Sequence, residues 1–175
     1  EAFLLQKAIR IIRKWPPVEQ EENTEGVDAL SLARQLVELD EKKERLEEER
    51  QEIQIEMERI RGFGRFSLRD VDRKKKKSGL YIQFFVAKTD LFANTPVPEH
   101  CIFLNEEQGL DYYVSLAFKP VTYPKMVEIT WTTSLTDLKT KELALLQALR
   151  VVEETLKKQA KYNAFLHVAF VEQLN

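Results

Sequence analysis

The sequence is poor in the residues that usually carry chemistry. It has one cysteine, Cys101, and two histidines, His100 and His167. A single thiol excludes an internal disulfide and suits a reducing compartment. The histidines stand apart from each other and from any acidic cluster with ligand spacing, so no metal site is expected. Cys101 has His100 beside it but neither an oxyanion motif nor a third partner, and it reads as a buried structural thiol. His167 reads as a solvated or interhelical side chain. Five glycines are scattered as terminators and build no phosphate-cradling loop. No apolar run approaches the roughly 18 residues that span a bilayer. With a net charge of −2, the overall electrostatics favour neither an acidic nor a basic partner. These absences predict a chain with no catalytic site and no cofactor.

What the sequence does have is heptads. From Asp28 to Arg61, Ala29, Leu36, Lys43, Arg50 and Met57 recur at one core position, and Leu32, Leu39, Leu46, Ile53 and Ile60 at the other. Neither proline nor glycine interrupts them. So narrow a stripe must bury against another helix, and its 3.5-residue period predicts left-handed supercoiling. The element would be a rod of about 50 Å. A second register runs from Leu135 to Phe170 through Leu138, Glu142, Leu145, Leu149, Val152, Leu156, Gln159, Asn163 and Leu166, with Leu143, Leu146 and Val151 widening its stripe. The expectation is an antiparallel two-helix coiled coil, with Lys43 close to Glu153 and Glu154.

Ahead of the rod, Glu1–Trp15 has helical spacing that Pro16 and Pro17 end, and VEQEENTEGV reads as an acidic loop. The chain opens at Glu1 without a Met and already in helical pattern, which reads as part of a longer protein. Asp28 is placed to cap the rod helix, and Gly62 and Gly64 to end it. Between the two long helices lie residues of a different character. Ser67 and Asp70 suggest a capping pair for a short helix through Lys77. Leu80–Lys88 reads as a central strand, followed by a loop with a helical turn at 90–93. Cys101–Asn105 and Asp111–Lys119 read as strands joined by a five-residue connection, and Val127–Trp131 as a fourth strand. Ser134 with Asp137 would cap the returning helix. The fold class expected is therefore α+β: a long antiparallel two-helix coiled coil carrying a small antiparallel-sheet lobe with at least one helix at its tip. Its parts are 1–27, an N-terminal helix and acidic loop; 28–62, the outgoing coil; 63–133, the lobe; and 134–175, the returning coil.

One stretch could meet a polyanion. Lys74, Lys75, Lys76 and Lys77 follow Arg73 on the short helix. Such a run can be a solvated helix end or a contact to phosphate, lipid or an acidic protein. Without interleaved aromatics or a second basic stripe, nucleic acid is not expected. The aromatics Tyr81, Phe84, Phe85, Phe103, Tyr112, Tyr113 and Phe118 read mainly as sheet core, with one face left as a possible docking surface.

The order ERIRGFGRFSLRDV, KKSGLYIQFFVAK, CIFLNEEQGLDYYVSLAF and a returning coil helix resembles the cytosolic N-terminal part of subunit I of bacterial V-type (archaeal-type) ATP synthases, subunit a of the eukaryotic V-ATPases. It is most similar to the chlamydia-like branch, and the likeness is strongest over residues 30–118. The motifs are hydrophobic patterns and turns, and their order carries the likeness. The resemblance implies a dumbbell at the cytoplasmic face of the membrane, of which this chain would be the coiled coil and distal lobe. Residues 1–15 would be what remains of the proximal lobe. It also implies docking of the peripheral stalk's E and G subunits at the distal lobe, contact with other subunits of the complex, and a membrane half elsewhere in the protein that moves protons. Two other classes fit the helical pattern. A hinge-like arm of a chromosome-maintenance protein would bind DNA with steep salt dependence. A free-standing coiled-coil adaptor or chaperone would need no membrane half.

Overall fold

The computed structural model describes the backbone of residues 1–64 and 68–175, and side chains other than those of 65–70. The chain is α+β, and its helices are α1 (Ala2–Arg13), α2 (Ala29–Arg61), α3 (Leu68–Ser78), α4 (Leu135–Gln159) and α5 (Asn163–Leu174). Its strands are β1 (Tyr81–Lys88), β2 (Cys101–Glu107), β3 (Leu110–Ala117) and β4 (Val127–Ile129). They form one antiparallel sheet in the order β2-β3-β1-β4, which places β1 centrally as its composition predicts. Two compact units result: Glu1–Gln51 with Leu143–Asn175, and Glu52–Glu142. Among the described residues, no helix is long and apolar enough to cross a membrane.

The first unit is helical. Leu5, Ala8, Ile9, Ile11 and Ile12 of α1 join Leu32, Ala33 and Leu36 of α2, Val152 and Leu156 of α4, Ala160 and Leu166 in one core. The heptad positions Leu32 and Leu36 are thus buried, and Leu39 and Leu46 pack partly against them. Of the three residues expected to widen the α4 stripe, Leu146 is half-buried like its register neighbour Leu145, whereas Leu143 and Val151 stay 67 % and 54 % exposed. Asp28 caps α2 as its position predicts. Its carboxylate accepts from the Ser31 hydroxyl and amide, and these bonds hold its pKa below the ordinary value. Lys43 bonds Glu47, one turn on, at 2.9 Å; Glu153 adds only a longer-range attraction.

The returning helix is not the single element expected over 134–175. It breaks at a 3₁₀ turn, Ala160–Tyr162. Neither proline nor glycine causes this. The Gln20 amide enters the helical ladder, donating to the Ala160 carbonyl at 3.2 Å and accepting from the Ala164 amide at 2.9 Å. The Glu21 amide takes the next carbonyl, Lys161, at 2.9 Å. A side chain inserted between i and i−4 partners is a sufficient cause of a bend.

The second unit holds the sheet, whose central strands β1 and β3 are covered on both faces. Ile82, Phe84 and Val86 of β1 pack with Tyr112, Ile60, Phe63, Leu135 and Leu138. Phe85 and Ala87 pack with Tyr113 and Met126 on the other face, under Leu91, Phe92, Val121 and Tyr123 from the loops. Two-sided burial explains why β1 lacks polar alternation. Gln83 pins one of those loops, accepting from the Val121 amide at 2.9 Å and donating to its carbonyl at 3.1 Å. The β2–β3 connection is shorter than the five residues expected. The strands continue to Glu107 and from Leu110, leaving Gln108 and Gly109 at φ 52° and 78°. Two consecutive positive φ values are the type I′ geometry that suits the twist of a hairpin. Ser134 caps α4 by accepting from the Asp137 amide at 3.1 Å. The Ser67–Asp70 capping pair lies outside the described residues.

Candidate docking surface

Short-range bonds shape the basic helix. The Ser78 hydroxyl donates to the Lys74 carbonyl at 2.7 Å, and the Gly79 amide to that of Lys75 at 3.0 Å. Gly79 at φ 71° supplies the left-handed stop. These bonds satisfy carbonyls of the last turn without using an ammonium group. Cations in that turn also suit the helix dipole. Arg73, Lys74, Lys75, Lys76 and Lys77 are all exposed. None forms an ion pair with a described residue. The Lys75 ammonium stands 4.8 Å from the centroid of Tyr81, the first residue of β1. Successive helical residues turn by about 100°, so five consecutive cations surround the helix and form no stripe. The arrangement presents positive charge in several directions.

The sheet contributes a second feature. Strand β2 is an edge, and Ile102 and Phe103 on it are 51 % and 52 % exposed. Phe118, just past β3, is 80 % exposed, whereas Phe84, Phe85, Tyr112 and Tyr113 are buried. The aromatics therefore split into four core rings and three with exposed surface: Tyr81, Phe103 and Phe118. The edge is interrupted by a register shift between Phe103 and Asn105, and Glu106 and Glu107 follow. A bulge and charges are the usual means of keeping an edge strand from indiscriminate pairing. Arg61 fixes the end of this strand through a 2.6 Å ion pair with Glu107.

The residues with latent chemistry are kept apart. His167 faces α1, its Nε2 2.8 Å from an Arg13 guanidinium nitrogen, which gives it the interhelical role. Cys101 is half-buried and bonds Tyr123 and Ser115, whose hydroxyls are 3.0 Å apart. Burial pushes its thiol pKa up, and those two hydrogen bonds only partly oppose the rise. The Ser115–Tyr123–Cys101 cluster was not legible in the sequence, because a loop brings Tyr123 onto a strand face. Among the described residues no group of histidine, cysteine and acidic side chains could hold a metal. A raised pKa leaves little thiolate at neutral pH. Alkylation of Cys101 by iodoacetamide should therefore be slower at pH 7 than that of an unstructured cysteine peptide, and should accelerate through a midpoint above the peptide's. Mass spectrometry over a pH series measures this; a midpoint at or below the peptide's would contradict it.

No protein-family model, curated protein or solved structure matches the chain.

Proposed function

We propose that this chain is a non-catalytic stator arm of a proton-translocating V/A-type rotary ATPase, the coil and distal lobe of its subunit I. In this reading α2 and α4 pair as an antiparallel coiled coil. The sheet unit is the lobe that docks the stalk's E and G subunits at the cytoplasmic face of the membrane. The observation that carries the proposal is a four-stranded α+β unit lying in sequence between the 33-residue α2 and the 25-residue α4, the order of parts that the resemblance requires. The mechanism is mechanical. A rotary motor develops torque, and the part that holds its membrane subunit still must carry load without twisting. Paired helices resist twisting because their backbone bonds lie within each helix and their seam is packed throughout. Lys74, Lys75, Lys76 and Lys77 would meet acidic stalk helices, giving orientation and association rate more than tight affinity.

The test is binding of this chain to a purified stalk E–G heterodimer, with duplex DNA in parallel over a salt series. Stalk binding without DNA binding is expected. Reversing the four lysines to glutamate should weaken stalk binding roughly tenfold or more, since each exposed pair contributes little alone but four act together. Unchanged affinity in that variant would remove the lysines from the contact. DNA binding with a steep salt slope and no stalk binding would replace the proposal with the chromosome-arm reading.

A further inference from the structure

Residues 16–21 lie against the bend between α4 and α5 as a strap, and their attachment is almost wholly polar. Gln20 holds the Ala160 carbonyl and the Ala164 amide, the two groups that would bond each other in an unbroken helix. The Glu21 amide holds the Lys161 carbonyl at 2.9 Å, and its carboxylate lies 3.5 Å from the Lys161 ammonium. The Ala160 carbonyl also accepts from the Asn163 amide across the 3₁₀ turn, so the strap adds a second bond there and supplies the one to the Lys161 carbonyl. Apolar packing adds little, because Pro16, Pro17 and Val18 are exposed. An open surface groove lined by Val18, Glu19, Lys157, Lys158 and Lys161 flanks the strap.

The bend itself carries a cost. Gln159 Oε1 and Asn163 Oδ1, on either side of it, are buried without a hydrogen-bond partner. Unpaired buried acceptors are costly to maintain, and a rearrangement that returns them to water relieves that cost. Leu166 of α5, just beyond the turn, is fully buried in the helical core. Nothing in the local sequence 157–167, which has neither proline nor glycine, forbids a continuous helix.

We propose that residues 16–21 are a latch that holds the bend. When Gln20 and Glu21 let go, Ala160 and Lys161 recover their own i+4 amides and residues 135–174 run as one helix. The latched form is the ground state, and the straight form is a minor population that latch-breaking substitutions enlarge. The joint requires no ligand and stands whether or not the stator proposal does.

The test uses spin labels at Arg150→Cys and Glu172→Cys in a Cys101→Ser background. A straight helix sets their Cα atoms about 33 Å apart, at 1.5 Å per residue. The unmodified strap should give a shorter main distance. Gln20→Ala with Glu21→Pro, which removes both side-chain bonds and the Glu21 amide, should move most of the population to about 33 Å. A folded variant that keeps the original distribution would overturn the latch. Should the variant not fold, amide exchange in the unsubstituted chain decides. The Ala164 and Glu21 amides should share one opening rate, faster than that of Leu156. Unequal rates, or an Ala164 amide as slow as that of Leu156, would overturn it.

Discussion

Gly62→Ala should destabilise the sheet unit by about 3 kcal/mol, a large effect for one methyl group. Gly62 follows α2 in a turn where the Phe63 amide bonds the Ile60 carbonyl at 3.1 Å and the Gly64 amide bonds that of Arg61 at 3.0 Å. A Cβ on Gly62 would meet the Tyr112 ring face at Cε1, Cε2 and Cζ. Tyr112 has nowhere to retreat. It is 6 % exposed, with Phe63 edge-on at 4.9 Å, and Phe63 is itself 2 % exposed and stacked on Trp131 at 5.2 Å. Glycine is required there by the close approach of a ring, not by backbone conformation. Gly79 is the useful contrast: a Cβ there meets nothing, and only its φ of 71° opposes a side chain. Gly79→Ala should therefore cost about 1 kcal/mol. Denaturant titration of both variants checks the ranking. Trimming the ring with Tyr112→Leu should abolish the extra cost of Gly62→Ala. Additive losses would mean that the methyl is not felt through Tyr112.

Legibility in the sequence followed the range over which each cause acts. The heptad stripe of α2 was readable because helix period and core demand repeat within a few residues, and Leu32, Leu36 and Ile60 are buried as it predicts. The same holds for β1, whose unbroken LYIQFFVAK belongs to a strand covered on both faces. The lysines were legible as an exposed run, and α3 distributes them around its axis. The break at 160–162 was not legible. The residues there favour a helix, and the group that interrupts it is Gln20, some 140 positions away. Cys101 shows the same limit, since His100 beside it in sequence is not what sets its thiol. Tyr123 and Ser115 reach it through the sheet, and burial outweighs both. Nor did alternation separate the aromatics. Phe103 and Tyr113 are opposite one another on paired strands, yet Phe103 is half exposed because β2 is an edge. Strand order is a non-local property, and it decides which rings are core.

Phe85→Ala should cost about 3–5 kcal/mol, enough to leave a unit of ordinary stability marginal. Phe85 is 1 % exposed at the centre of the loop-covered sheet face. Its ring meets Tyr123 edge-on at 5.0 Å, with Tyr113 opposite it on β3 and Glu128 on β4. The lid over it is two loops, one of them tied down by Gln83, so removing the ring takes away what the loops close upon. Relaxation of those loops could fill part of the cavity, which favours the lower end of the range. Phe118→Ala removes the same atoms from a side chain that is 80 % exposed, and should change stability by no more than about 0.5 kcal/mol. Trp131 reports the transition from within the same unit through its contacts with Phe63 and Phe84, once Trp15 of the helical unit is replaced by phenylalanine. A Phe85→Ala midpoint close to that of Phe118→Ala would mean that the loop-covered face contributes little, and that the sheet is held from its helical side alone.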